Sequence, residues 1–290
     1  MSSEYEQLRL LAEDDVPYSA SNLDHQRGKS MKTYTKDSLI AALRKIRDRG
    51  WIPNARPGNA GGVGNTLEDL LGIKENNLPL PNAGEWELKA KRQSSAALTT
   101  LFHSEPSPTA FEFVTQIFLP KYGWPHEKAG TSGIPEGALS FRQTMQTSAS
   151  DRGFKVVVDG SSKRVLISFD ARSVDARHSG WLESVKKRAG LGEIDPQPYW
   201  GFDDLYAIAR TKLRNCFYVL AKRRKAEDSE FFWYTEFFMA SDFNRDKFLA
   251  AIENGTIYVD FDARSGHNHG TKFRTKFRNL SDIYDRFVQL

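Results

Sequence analysis

The chain has 290 residues, 39% of them hydrophobic and 12% aromatic, which is enough to bury a sizeable core and excludes wholesale disorder. A single cysteine, Cys216, excludes an intramolecular disulfide and a thiolate metal site, and it fits a reducing cytosol. No apolar run reaches the roughly 18 residues of a membrane helix, and the acidic, polar N-terminus is unlike a signal peptide, so neither a membrane partner nor secretion is expected. The net charge of +4 raises the expectation of a polyanionic partner only slightly.

The first thirty residues are polar and weakly periodic. Residues 1–30 are therefore predicted to be an N-terminal extension with one short helix near residues 5–12, and the main domain is predicted to begin near Met31. The first helix of that domain is predicted to start after Thr35, a good N-cap residue, and to end near Arg49, just before a glycine. One face of this helix carries the apolar side chains Leu39, Ile40, Leu43 and Ile46.

A glycine-rich stretch at residues 58–64 lacks the Gly-Lys-Ser/Thr ending of a phosphate-binding loop, so it does not predict nucleotide binding. A helix over Thr66–Leu71 is predicted next, and it carries Glu68. The alternating segment Glu85–Ala90 predicts a strand.

Further along the chain, strands and helices mix without strict alternation, which predicts an α/β or mixed α+β fold around a mixed β-sheet flanked by helices. Residues 121–150 and 171–202 are predicted to be loops or insertions. Strands are predicted at Leu98–His103, Cys216–Ala221, Phe231–Met239 and Ile257–Asp262, a hairpin at Phe154–Phe169, and helices at Asp203–Leu213, Asp246–Ile252 and Leu280–Val288.

Two carboxylates and an ammonium group are expected on one face of the strand at residues 85–90. Side chains alternate along a strand, so Glu85, Glu87 and Lys89 share one face. Carboxylates bind Mg²⁺, and a lysine beside the ion can position the attacking water, so the pattern suits hydrolysis of a phosphodiester. Glu68 could join this cluster. A surface Glu–Lys pair on an amphipathic edge strand is the structural alternative.

A second cluster lies between residues 259 and 274. Arginine can donate to guanine O6 and N7, and aspartate can accept from cytosine N4, so a loop with both residue types predicts recognition of G·C pairs in DNA. A polar surface turn remains an alternative, as does a zinc site at the two histidines. The candidate side chains are Asp260, Arg264, His267, His269 and Arg274.

Four short motifs occur in order: TLEDLL from Thr66, ENNL from Glu75, PNAGEWELK from Pro81 and LTTLFH from Leu98. In these motifs, and more loosely from Met31 to the C-terminus, the chain resembles the MvaI/BcnI group of type II restriction endonucleases, relatives of the mismatch-repair nuclease MutH. The resemblance implies a PD-(D/E)xK core with two lobes around a DNA cleft. Residues 31–120 would form the catalytic lobe, and residues 121–290 the rest of the core and the DNA-recognition lobe.

The resemblance also implies the chemistry. Glu68 would be the helix carboxylate, Glu87 a metal ligand and Lys89 the catalytic lysine. The implied cofactor is Mg²⁺, for which Mn²⁺ can substitute. The implied partner is double-stranded DNA with a five-base-pair site of the CC-N-GG type, cut to leave 5′-phosphate ends. The enzyme would act as a monomer without an obligate protein partner, in the cytoplasm of a bacterium or archaeon.

Base contacts are also implied by the resemblance. Asp260, His267 and Arg274 match positions that contact bases in the major groove, and His269 is counted with them. An arginine of one subfamily matches Asp262 here, so Arg264 is expected to take over its role. His103 matches a position near the centre of the recognition site, although a buried structural histidine is the alternative.

Asn82 departs from the family pattern, which has its chief metal-binding aspartate at this position. An amide offers a neutral oxygen but no negative charge to hold Mg²⁺. Three explanations remain open: an introduced substitution that allows DNA to bind uncut, a natural replacement compensated by Glu85 or Glu68, or a natural DNA-binding protein without cleavage. A MutH-like strand-nicking enzyme with a protein activator is a further alternative.

Overall fold

The computed structural model describes residues 34–59, 61–73, 83–131, 133–227 and 229–290, which all belong to one compact unit. The helices are α1 Lys36–Asp48, α2 Gly62–Leu71, α3 Ser179–Ala189, α4 Phe202–Leu213 and α5 Arg245–Glu253. The strands are β1 Ile52–Pro53, β2 Glu87–Arg92, β3 Thr99–His103, β4 Trp124–Pro125, β5 Leu139–Met145, β6 Arg152–Asp159, β7 Arg164–Val174, β8 Tyr199–Gly201, β9 Asn215–Ala226, β10 Ser229–Phe243, β11 Ile257–Arg264, β12 His267–Asn268, β13 Lys272–Thr275 and β14 Tyr284–Gln289. A π-helical segment spans Phe113–Tyr122, and 3₁₀ helices span Thr109–Phe111, Ala176–His178 and Phe277–Ile283.

The first sheet has the strand order β1-β10-β9-β2, with β14 also paired to β10. The long pair β9 and β10 is antiparallel, whereas β2 runs parallel to β9, with Glu87 opposite Cys216 and Lys89 opposite Tyr218. Helix α2 packs against β2, and α1 packs against β10. This mixed sheet flanked by helices confirms the predicted α+β class.

The second sheet has the strand order β3-β13-β11-β5-β4, with the short β12 paired to β11. All its pairs are antiparallel. One face is buried in the larger hydrophobic cluster of the protein, where Phe102 stacks on Phe273 at 4.8 Å between ring centroids, and Phe141 and Phe261 are fully buried. Because side chains alternate across a sheet, the polar residues of the same strands point to the opposite side.

Helix α1 follows the sequence prediction closely. Thr35 accepts a hydrogen bond from the backbone N–H of Ser38, Leu39 and Leu43 are fully buried, and Gly50 has a φ of 71° just beyond the last turn. Most other predicted elements are confirmed with shifted ends, namely those at 66–71, 98–103, 154–169, 203–213, 216–221, 231–239, 246–252 and 257–262. The extension at residues 1–30, with its short helix, lies outside the described residues.

The predicted C-terminal helix over Leu280–Val288 is wrong. A 3₁₀ helix ends at Ile283, and β14 follows as an antiparallel partner of β10, with Tyr284 opposite Phe243 and Gln289 opposite Phe238. The second half of β10 offers an unpaired edge to this segment, and pairing there satisfies its backbone groups. Tertiary pairing thus overrides a local pattern that is compatible with either structure.

The two stretches predicted to be loops or insertions contain regular structure, so the loop interpretation is wrong. Residues 121–150 include β4 and β5, and residues 171–202 include the end of β7, α3 and β8. Strand β5 was hidden because Gln143 is a buried polar residue at a position where the alternating pattern requires an apolar one. In the described part of the chain, no helix combines the length and apolar character needed to span a membrane.

Candidate functional site

Glu87 and Lys89 lie next to each other on one face of β2. The Glu87 side chain is only 10% exposed, and its Oε1 accepts a hydrogen bond from Lys89 Nζ at 3.2 Å. Its Oε2 is buried and has no hydrogen-bond partner among the described residues, although Lys212 Nζ, from the last turn of α4, lies 3.8 Å away. A nearly enclosed carboxylate therefore keeps one oxygen without a donor beside two ammonium groups.

This unsatisfied oxygen fits a divalent cation, because a hard cation takes carboxylate oxygens as ligands. A buried polar atom without a partner is costly in a folded protein, and a metal ion at Oε2 would remove that cost. The described residues contain no group of three or more His, Cys, Asp or Glu side chains arranged to hold a metal ion, so Glu87 would supply only one ligand of such a site. Asn82, the second ligand expected from the sequence, lies outside the described residues.

The two other candidate carboxylates have different positions. Glu68 is half-buried on α2, which packs against the strand of Glu87. The expectation that Glu85 shares the face of Glu87 and Lys89 is wrong. Glu85 lies in an exposed turn that is closed by a hydrogen bond from the backbone N–H of Ala83 to the carbonyl of Trp86, so the strand begins only at Glu87.

The second sheet presents a polar face, defined by His103, Arg142, Thr144, Asp260, Asp262, Arg264, Lys272 and Arg274. Asp260 is buried at its centre and accepts hydrogen bonds from Thr144 Oγ1 at 2.7 Å and from Arg274 Nη1 at 2.8 Å. Asp262, two residues along β11, lies 3.0 Å from Arg142 Nε and 3.4 Å from Lys272 Nζ. Each aspartate of β11 thus lies beside a cation from a neighbouring strand, and the face carries the mixture of Asp and Arg side chains that the sequence predicted.

The polar face and β2 lie close enough to interact electrostatically. Partial burial lowers the pKa of His103, and the positive charges of Lys272 and Lys89 lower it further. Burial also lowers the pKa of Lys91 on β2, and the charge of Arg274 adds to that effect. The structure therefore brings the Glu87–Lys89 pair and the predicted DNA-contacting side chains His103, Asp260 and Arg274 into one region.

The remaining predicted contacts lie around the end of β11. Arg264 Nη1 donates to the carbonyl of Ser265 at 3.1 Å, and its side chain lines an open cavity together with Arg142 and Arg152. The exposed rings of His267 and His269 are 4.2 Å apart between centroids, and no third ligand that could complete a zinc site accompanies them within the described residues.

Sequence analysis missed two cations of the polar face. Arg142 falls in a stretch predicted to be a loop or insertion, and Lys272 is absent from the candidate side chains chosen between residues 259 and 274. The alternation of Phe141 and Met145 with Arg142 and Thr144 was the available signal, but the polar Gln143 interrupts it.

We expect the imidazole of His103 to titrate below the usual value near 6.5, because partial burial and nearby cations disfavour its protonated form. Lys272→Met removes the cation with the largest effect and should raise the pKa of His103. The measurement is an NMR pH titration, with the resonance assigned by its absence in His103→Asn. Lys187→Met, on the exposed side of α3, is the control and should leave the titration unchanged. A pKa at or above 6.5 in the unchanged chain would contradict the expectation.

Comparison with known proteins agrees with the fold described above. A search of curated protein sequences found no significant match. Among solved structures, the chain is similar to the complex of restriction endonuclease MvaI with its cognate DNA substrate, with a TM-score of 0.69 and 23% sequence identity over 89% of this chain and 99% of that chain. For MvaI in the absence of DNA the TM-score is 0.48, with the same identity and coverage. The family model for the MvaI/BcnI restriction endonuclease family matches residues 40–284, and the chain therefore belongs to this family.

Proposed function

We propose that this chain is a Mg²⁺-dependent endonuclease that cleaves double-stranded DNA at a specific site of the CC-N-GG type. Family membership gives the broader class, a restriction endonuclease, and such enzymes generally use divalent metal ions. The main structural support is the placement of the Glu87–Lys89 pair beside a face of alternating Asp and Arg side chains. Chemistry on the phosphate and recognition of bases would then occur within one bound duplex.

In this proposal Glu87 and Lys89 of β2 have different tasks. Glu87 would hold the metal ion through Oε2, which has no hydrogen-bond donor among the described residues, and Mn²⁺ could replace Mg²⁺ because it accepts the same oxygen ligands. When bound, the ion would supply Lewis-acid chemistry at the scissile phosphate. Lys89, which holds Glu87 at 3.2 Å, also donates towards the phosphate, where its charge offsets the negative charge of the transition state.

Asn82 supports a second candidate function, a sequence-specific DNA-binding protein that does not cut. With an amide at this position, the site loses one negative charge that would retain Mg²⁺. The polar face would be unaffected, so binding and cleavage are separable in this protein. Cleavage of a plasmid by the purified chain with Mg²⁺ or Mn²⁺ distinguishes the two functions.

We also propose that the protein binds DNA as a monomer, without an obligate protein partner, in the cytoplasm. In the same proposal the catalytic lobe begins after residue 30 and ends near residue 120. The sedimentation coefficient of the chain, measured with and without a duplex, tests whether the protein is a monomer in each state.

We expect DNA binding to weaken steeply with salt. If six or more phosphates are contacted, affinity should fall by about 10³-fold between about 50 and 200 mM salt, because each neutralised phosphate releases condensed counterions. Fluorescence anisotropy with a labelled duplex and purified protein measures this dependence. A single-stranded oligonucleotide of the same sequence is the control and should bind more weakly. A flat salt response would contradict the whole DNA-binding proposal.

A further inference from the structure

Two aspartates on β11 each contact an arginine from a neighbouring strand. Asp260 is paired with Arg274 of β13, at 2.8 Å between Oδ2 and Nη1. Asp262 is paired with Arg142 of β5, at 3.0 Å between Oδ1 and Nε. Asp262 and Arg142 are direct partners in the register of β5 and β11, so the backbone itself sets the two side chains side by side. The polar face therefore repeats one chemical unit, an aspartate beside an arginine.

The second unit is the more accessible one. The side chains of Arg142 and Asp262 are 56% and 31% exposed, whereas those of Arg274 and Asp260 are 25% and 10% exposed. Arg142 meets Asp262 through Nε, and its two terminal Nη nitrogens have no hydrogen-bond partner in the described part of the chain. Asp262 is also held from its other oxygen by Lys272 Nζ at 3.4 Å. The Asp262 carboxylate is thus held by contacts at both oxygens, whereas the two Nη nitrogens of Arg142 are available to a ligand.

We propose that Arg142 and Asp262 together recognise one C·G base pair in the major groove. The two Nη groups of Arg142 form a fork that matches guanine O6 and N7, and Asp262 can accept from the N4 amino group of the paired cytosine. Successive residues on one face of a strand are about 6.8 Å apart, which equals about two base-pair steps. Along a strand that follows the groove, the base pair facing Arg142 and Asp262 therefore differs from the base pair facing Asp260 and Arg274. The inference rests on the proposed function and adds a specificity residue from β5.

A phosphate contact is the alternative for an exposed arginine, and the surroundings of Arg142 disfavour it. A carboxylate 3.0 Å from the guanidinium would repel a phosphate, whereas the edge of a C·G pair requires both an acceptor and a donor from the protein. The two contacts predict different behaviour. Loss of a phosphate contact weakens binding to all sequences equally, and loss of a base contact weakens only the preferred one.

The test begins with the full-length chain and a pool of randomised duplexes, with Ca²⁺ in place of Mg²⁺. Sequencing the bound duplexes gives the preference at each base pair. The same selection is then made with Arg142→Lys, which keeps the charge and removes the fork, and with Asp262→Asn. Arg274→Lys tests the less exposed pair, Asp260 and Arg274. Arg172→Lys is the matched control, because Arg172 is 90% exposed and its Nε also lies 3.0 Å from an aspartate, Asp170. Thermal unfolding of each variant confirms that it is folded.

We expect Arg142→Lys to reduce discrimination at one C·G pair by about 5- to 150-fold and to leave the other positions unchanged. Asp262→Asn should affect that same pair, Arg274→Lys a different pair, and Arg172→Lys none. An equal loss of affinity on all sequences would assign Arg142 to a phosphate and overturn the inference, as would an unchanged preference. If the unsubstituted chain selects no sequence, the proposed function itself fails, and this result is recorded before any variant is used.

Discussion

We expect Asn82→Asp to increase the rate of Mg²⁺-dependent DNA cleavage by on the order of 10²-fold or more, because even residues that only orient metal ligands change activity by about 10- to 100-fold. The substitution adds a negative charge where the family places its chief metal-binding carboxylate. Glu87 offers a buried oxygen that has no hydrogen-bond donor among the described residues, so an aspartate at position 82 that reached the same ion would complete a pair of anionic ligands for Mg²⁺. The rate at which supercoiled plasmid becomes nicked and linear measures the effect.

The matched control is the double variant Asn82→Asp/Glu87→Gln. Removal of the Glu87 charge should abolish most of the gain, because the site would again have one anionic ligand fewer. Equal cleavage by this chain and its Asn82→Asp variant would show that position 82 does not bind the metal. It would then favour compensation by another carboxylate, and Glu68 is a candidate because α2 packs against β2.

The second large effect is expected from Lys89→Met in the Asn82→Asp background. Methionine keeps much of the side-chain volume but removes the ammonium group that faces Glu87 at 3.2 Å. Loss of one charge-stabilising donor in an active site typically lowers the rate by about 10²- to 10³-fold. Plasmid cleavage measures this loss, and anisotropy measures duplex affinity, which we expect to change far less.

Lys187→Met serves as the control for this variant. Lys187 lies on the exposed side of α3, so its loss removes the same charge without changing the site. If the Lys89→Met variant cleaves as fast as its parent, Lys89 takes no part in catalysis. A parallel loss of duplex affinity would instead assign Lys89 to DNA binding alone.

Local signals predicted the elements of this protein where the local and tertiary preferences agree. Helix α1 has a capping threonine, an apolar face and a glycine at its end, and all three features have the expected structural role. The short segment Tyr284–Gln289 lacks such signals, and the open edge of β10 decides its structure. The turn at Gly84 has a φ of 77° and delays the start of β2, which moves Glu85 off the face that alternation alone had assigned to it.

In the candidate site, too, some residues could be predicted from local sequence and others only from tertiary pairing. Glu87, Lys89, Asp260 and Arg274 could be chosen from the sequence because each lies in a motif with its neighbours. Arg142 could not, because its role depends on the register of β5 against β11, a contact between residues more than a hundred positions apart. Long-range pairings of this kind leave no periodic signal near the residue itself.

The parallel pairing of β2 with β9 has a consequence for synthesis on the ribosome. Glu87 lies opposite Cys216, and residues 93–214 form the crossover between the two strands. A nascent chain that ends before α4 therefore lacks both the strand that holds Glu87 in the sheet and the nearby Lys212. Such a polypeptide cannot assemble the Glu87 site, so this site forms only late in synthesis.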